Sequence, residues 1–454
     1  MVAECWQGDE AEAAVLERSA AAWNRLQERI AHRFGRVEVR LRVRRFLAGL
    51  LARVERKNGW QVAEAIGDLG PQGVQRLLLG SCWDVEAVRD DLRAYVLEQL
   101  GQDDGVLIID ETGFPKKGAR SCGVAAQYSG AAGRCENAQV GVFLAYAASR
   151  GTAFLDRALY LPRTWTSDRV RCSAAGVPTT VRFATKVTLA KQLLGRAFAA
   201  AVPARWVVAD CLYGRVHHFR AWLEWHGQAY VVGVIPAQVV MWAGRRQRAL
   251  ALAASLPPTA WQRLSAGTGS QGERVHDWAC VPLEEEAPVG LGRWLLVRRS
   301  LADPAECAYF RAYGPVLTPS AHLVRVAGTR WAVEEAFAQA KGEVGLDQYE
   351  VRQWEAWYRH VTLCLLAHAF LVVVRAQAHA ALTADPKKGG VRRPAAASHS
   401  PYPRYDDCSS PCRPRQENGP FAWAGHVGDE PIRRSRNAAT SHGGCRPAPC
   451  CLWS

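Results

Sequence analysis

Two short apolar runs, residues 106–110 (VLIID) and 205–210 (RWVVAD), constrain the fold of this chain more than any other feature. Each is continuous and too short for a helix, the pattern of a strand buried on both faces, and each stops at an aspartate, Asp110 or Asp210. Strand patterns at 140–147 and 152–161, joined by a Ser149-Arg150-Gly151 turn, follow the first run. A helical pattern at 183–199 precedes the second, and a helix at 216–225 and a strand at 229–235 follow it. Strands alternating with helices predict an α/β domain, in which strand ends form the crevice where chemistry takes place.

The flanking regions differ in kind. Residues 1–100 read as an all-helical N-terminal domain, with apolar positions at three- and four-residue intervals in 11–34 and 88–100. A shorter helix pair, 59–68 and 72–79, is broken at Gly70-Pro71. A small DNA-binding module and a plain helical cap both fit that pattern. With the core's first part at 101–235, residues 236–317 read as a β-rich insertion, with strands at 278–283, 294–300 and 308–313. Residues 318–382 complete the core with helices at 330–344 and 354–381. The 383–454 tail is rich in Pro, Ser, Gly, Arg and Cys without periodicity and is expected to be disordered.

Charge narrows the partner. The 454 residues hold 57 Lys and Arg against 43 Asp and Glu, a net +14 at pH 7, which favours a polyanion such as nucleic acid. A membrane partner is not expected, because the most apolar stretch, 361–374, is too short to span and is interrupted by His368. An acidic start (Glu4, Asp9, Glu10) argues against a secretion signal, and the 14 scattered cysteines suit a reducing cytoplasm.

A single aspartate at a strand end is commonly a turn former or helix cap. Two in one domain, with a third acid on a later helix, suit phosphodiester chemistry. Hard divalent cations take carboxylate oxygens, and two such ions can activate an attacking oxygen and stabilise a leaving one. The third acid, Glu334, lies in RWAVEEAFAQAK, where Arg330, Glu334 and Lys341 fall on one helical face. A solvated stripe with an ordinary ion pair is the bland reading of that face.

The spacing of Arg330, Glu334 and Lys341 resembles the signature of bacterial insertion-sequence transposases with an Asp-Asp-Glu active site. The runs IIDETGFPKKG (108–118), LYLPRTW (159–165), VVADCLYG (207–214) and GLDQYEVRQWEAWYRH (345–360) extend the resemblance over about 92–381. It implies a ribonuclease-H-like catalytic core interrupted by the β-rich insertion and preceded by the helical domain. Asp110, Asp210 and Glu334 would hold two Mg²⁺ ions, with Mn²⁺ able to substitute, and Arg330 and Lys341 would support them. The partners implied are double-stranded DNA, at transposon ends and target, and a second copy in a DNA-bound homodimer. The setting would be a bacterial cytoplasm, at the nucleoid. One departure is Ala327, where the signature usually has tyrosine. Related transposases stack a flipped base on an insertion tryptophan, which singles out Trp242 beside Arg245 and Arg246, with Trp261, Trp278 and Trp294 as further candidates. Lys116, Lys117 and Arg120, just after the first aspartate, are candidate phosphate contacts. Two alternatives stand beside the transposase: a ribonuclease-H-like nuclease that cuts without strand transfer, and an impaired copy that only binds DNA.

We read the tail as frameshifted. Codons exist for residues 401–412 and 421–440 that spell basic sequences in one and the same shifted frame. The gene's nucleotide sequence checks this: those codons are expected across both stretches, and different codons there refute it.

Overall fold

The computed structural model describes residues 2–129, 133–269 and 272–383; the tail after residue 383 lies outside them. Five helices come first: α1 (Val2–Ala31), α2 (Val37–Leu51), α3 (Gly59–Ala65), α4 (Gln72–Leu79) and α5 (Val85–Leu100). Asn58 and Asp84 start α3 and α5 by accepting hydrogen bonds from backbone N–H groups in the first turn, as short polar side chains do at a helix start. Helix α2 was not apparent from periodicity. Its first residues alternate (Val37, Val39, Leu41, Val43), but the buried side chains Val43, Phe46, Leu47 and Leu50 share one helical face.

Among the described residues, one mixed ten-stranded sheet dominates the structure. Its strands are β1 (Val106–Pro115), β2 (Ala125–Ser129), β3 (Arg134–Ala148), β4 (Gly151–Tyr160), β5 (Trp206–Ala209) and β6 (Ala229–Val234), then β9 (Trp261–Gly269), β10 (Gly272–Pro282), β11 (Leu291–Arg299) and β12 (Cys307–Pro315). Strands β7 (Val239–Trp242) and β8 (Arg245–Arg248) form a separate hairpin. The sheet order is β2-β3-β1-β5-β6-β12-β11-β10-β9, with β4 also paired to β3. Strand β3 runs antiparallel to β1, β2 and β4, whereas β1, β5 and β6 are mutually parallel. The segment after β6 therefore continues the same sheet outward through β12, which pairs antiparallel with β6. The strand expected at 106–110 runs on to Pro115, so Asp110 lies inside β1 rather than at its end. Pairing of Glu111 to Pro115 with the first half of β3 sustains that extension.

The remaining helices are α6 (Arg163–Thr166), α7 (Arg169–Ala174), α8 (Lys186–Ala199), α9 (Cys211–Gly214), α10 (His217–Trp225), α11 (Ala249–Ser255), α12 (Ser320–Thr329), α13 (Trp331–Val344) and α14 (Trp354–Thr383). Gly345, at a left-handed φ of 67°, ends α13. By length and composition α14 is long and apolar enough to cross a membrane, a correction to the estimate from 361–374 alone. Here it serves as a core helix. Val361, Leu363, Leu365, Leu366 and Ala369 are fully buried, and the helix packs on β4, α5, α2 and α4. Helices α1–α5 thus share one hydrophobic core with the sheet. A smaller core lies under the β7–β8 hairpin and α11, against β10 and β11.

Two features tie the elements together. Asp156, buried in β4, meets Arg196 of α8 at 2.8 Å and Arg89 of α5 at 3.1 Å. Burial would raise its carboxyl, but these arginines and Arg157 outweigh it and hold the group below its ordinary range. Helix α12 lies directly on β9: a Cβ at Gly328 would stand 1.8 Å from the Ala266 carbonyl oxygen. Gly328→Ala is therefore expected to push α12 off the sheet and cost about 1–3 kcal/mol, the usual range for overpacking. Urea unfolding measures this, and an unchanged midpoint refutes the close contact.

Candidate active site

Parallel pairing of β1 with β5 places Ile109 beside Ala209, so the next residue on each strand is an aspartate. Asp110 sits mid-strand, one oxygen accepting from the Glu111 N–H at 2.8 Å. Asp210 follows the last residue of β5 and caps α9, accepting from the Leu212 N–H at 2.9 Å. Both carboxyls are pushed up. For Asp110 the causes are burial, then the Asp210 charge, with Arg330 opposing. For Asp210, burial and then the Glu111 charge raise it to about 6, again against Arg330. Two carboxylates desolvated this close together repel each other more strongly than they would in water.

Arg330 reaches the pair from the junction of α12 and α13. Its Nη1 lies 3.7 Å from Asp110 Oδ2, and its Nη2 lies 2.9 Å from Glu334 Oε1, one helical turn on. Glu334 is thereby joined to Asp110 through the guanidinium, with its side chain 49% exposed. Its neighbour Glu335 faces elsewhere and pairs with Arg274 of β10 at 3.4 Å. Among the described residues no three His, Cys, Asp or Glu side chains are grouped closely enough to form a ready metal cage. Asp110 and Asp210 come together; Glu334 stands on the far side of Arg330.

The other sequence candidates divide by environment. Lys341 donates to the Gly113 carbonyl at 3.4 Å beside the Phe114 ring, and burial lowers its pKa. Lys116 donates to the Tyr349 carbonyl at 3.1 Å and sits 3.5 Å over that ring, with burial lowering it to about 8. Both lysines brace β1 against the α13–α14 region. Lys117, Arg120, Arg245 and Arg246 are exposed. Trp242 is half-buried against the smaller core, paired with Arg245 across the hairpin. Trp278 and Trp294 are buried, and Trp261 carries Arg299 over its ring at 3.9 Å.

Two groupings escaped the sequence reading. Glu111 accepts from Lys186 Nζ at 2.8 Å and from the Tyr213 hydroxyl at 2.5 Å. Trp331 has Arg274 at 5.0 Å, Arg298 at 5.2 Å and Arg330 at 5.8 Å from its ring, all within cation–π range. The only signals in the sequence were the adjacency of Glu111 to Asp110 and of Trp331 to Arg330.

A family model described as DDE superfamily endonuclease matches residues 29–276, which include Asp110 and Asp210 and stop before Arg330. The chain is also 30% identical over 167 residues to a probable transposase for insertion sequence element IS701 from Microchaete diplosiphon. That match takes in 37% of this chain and 41% of the relative, so the chain spans about two fifths of that protein's length.

Because the folded state holds a proton on Asp210 up to about pH 6, against an ordinary value of 3.8, folding binds protons between those limits. The stability this contributes is complete below about pH 4 and is lost as pH rises through about 6. In chelator-treated buffer the melting temperature is expected to fall across that window, and to fall less in Asp210→Asn. An identical decline in the variant would refute the buried repulsive pair.

Proposed function

This chain belongs to the DDE superfamily of endonucleases, and on that premise we propose that it is an insertion-sequence transposase that cuts DNA and joins the cut strands. The observation that carries the proposal is the pair of desolvated aspartates on neighbouring parallel strands, with Arg330 linking Asp110 to Glu334. The antiparallel β4-β3-β1 set followed by parallel β5 and β6 supports a ribonuclease-H-like core.

The donor set fits hard divalent cations. Carboxylates held up by burial and by neighbouring negative charge are relieved when a cation takes their oxygens. Asp110 and Asp210 would hold Mg²⁺ or Mn²⁺, two ions in all, with Glu334 as the third carboxylate. Bound there, the ions supply an activated water or 3′-hydroxyl and a stabilised leaving oxygen. Arg330 balances the carboxylates and orients Glu334. Lys341 and Lys116 keep β1 in place and carry positive charge into the site's surroundings.

DNA would be gripped at the exposed Lys117, Arg120, Arg245 and Arg246, with Trp242 close enough to the surface to meet a base. Arg36, Arg40, Arg44 and Arg45, on or just before α2, give residues 1–100 a basic surface suited to DNA. The organisation we propose is that helical region, a core of 101–235 and 318–382, and a sheet-extending insertion of 236–317. Acting on two DNA ends calls for two copies, hence a DNA-bound homodimer.

The test is cleavage of labelled DNA carrying the element's own ends, in Mg²⁺. Wild type is expected to cut and to join the product to target DNA. Asp210→Asn and Glu334→Gln should each lose more than about a hundredfold, since changes merely adjoining a metal's ligands already cost roughly 10–100-fold. Glu335→Gln should stay active. Cutting without joining would reduce the protein to a nuclease, and activity that survives Glu334→Gln but not Glu335→Gln would overturn the assignment of the third acid.

A further inference from the structure

Glu111 follows Asp110 directly in β1, and the proposed chemistry has no use for it. Successive residues of a strand point to opposite faces. Asp110 accordingly meets Arg330, while Glu111 meets Lys186 at the start of α8 and Tyr213 at the end of α9. Both of its oxygens are engaged, one by each partner. Tyr213 is fully buried, and its hydroxyl donates to Glu111 at 2.5 Å.

The placement of Tyr213 gives this contact a consequence. Asp210 caps α9, and Tyr213 is the third residue of that four-residue turn. The hydrogen bond from Tyr213 to Glu111 therefore ties the turn that Asp210 caps to the strand that carries Asp110. Backbone pairing between β1 and β5 ends at Ile109 and Ala209, one residue short of the aspartates. Beyond that point the Glu111–Tyr213 bond continues the tie from β1 to the turn that follows β5. Next to burial, the Glu111 charge is also the largest influence raising Asp210. Lys186 supplies the balancing cation at 2.8 Å.

We propose that Glu111, gripped by Tyr213 and Lys186, is a positioning residue that sets the spacing of Asp110 and Asp210 for divalent-cation binding. The proposal rests on the metal-binding reading given above. Outer partners of ligating carboxylates commonly govern metal affinity by about 10–100-fold. Tyr213→Phe removes one hydroxyl and keeps the packing, so it separates positioning from folding.

The experiment is Mn²⁺ titration of the full chain without DNA, followed by calorimetry and by the electron paramagnetic resonance signal of free Mn²⁺. Glu111→Gln and Tyr213→Phe are expected to weaken Mn²⁺ binding by about 10–100-fold, with Tyr213→Phe melting close to wild type. Wild-type affinity in a folded Tyr213→Phe, even with a lowered melting temperature, makes the contact merely structural and overturns the proposal. A wild-type protein that takes up no Mn²⁺ overturns the metal-binding reading itself, and the proposal with it.

Discussion

The parallel pairing of β1 and β5 is the constraint on which the rest of the site depends. It sets two aspartates at the same level of adjacent strands, where both lose water. At an effective dielectric of about 20, like charges repel about four times as strongly as in bulk water. The surroundings answer that repulsion group by group. Arg330 faces Asp110, the Leu212 N–H faces Asp210, and Lys186 offsets the neighbouring Glu111. Charge is balanced among neighbours while the two aspartates keep raised pKa values.

Parallel strands cannot be joined by a tight turn. The chain between β1 and β5 makes the crossing with β2, β3, β4 and the helices α6 to α8. The crossing is itself pinned: Asp156 of β4 gathers arginines from α5 and α8, and α14 packs on β4. Removing one member of such a buried charge group typically costs 3–5 kcal/mol, more than a surface ion pair contributes. On the opposite side of β5, the sheet continues through β12 to β9, so β6 is not an exposed edge.

How much of this was legible in the sequence depended on the range of the interaction that decides each element. Strands at 106–110 and 205–210 declared themselves because a continuous run of β-branched and aliphatic side chains has few other uses. Helix α2 did not, because Val37, Val39, Leu41 and Val43 mimic a strand until packing selects Val43, Phe46, Leu47 and Leu50. Five residues of β1 beyond Asp110 were missed because pairing with β3, not local propensity, keeps them extended. Asp110, Asp210 and Arg330 could be singled out by residue type and spacing. The grip on Glu111 could not, since Lys186 and Tyr213 come from 75 and 102 residues away. Tryptophans gave the least, because burial of Trp278 and Trp294 is a tertiary outcome.

The segment from β7 to β12 reaches the site mechanically as well as by lengthening the sheet. Arg274 of β10 both stacks on Trp331 and pairs with Glu335, while Arg298 of β11 stacks on the same ring. Three residues before Trp331, Gly328 lets α12 rest on the β9 backbone at Ala266. Between these two anchors lies Arg330, the residue that faces Asp110 and Glu334. Adjacent glutamates on one helix turn thus have separate duties: Glu335 is held outward by β10, and Glu334 is turned toward Arg330. A helix rotates each successive side chain by about 100°, so fixing Glu335 against β10 fixes the direction of Glu334 as well. The orientation of Glu334 is therefore set by strands that lie outside the β1–β5 pair.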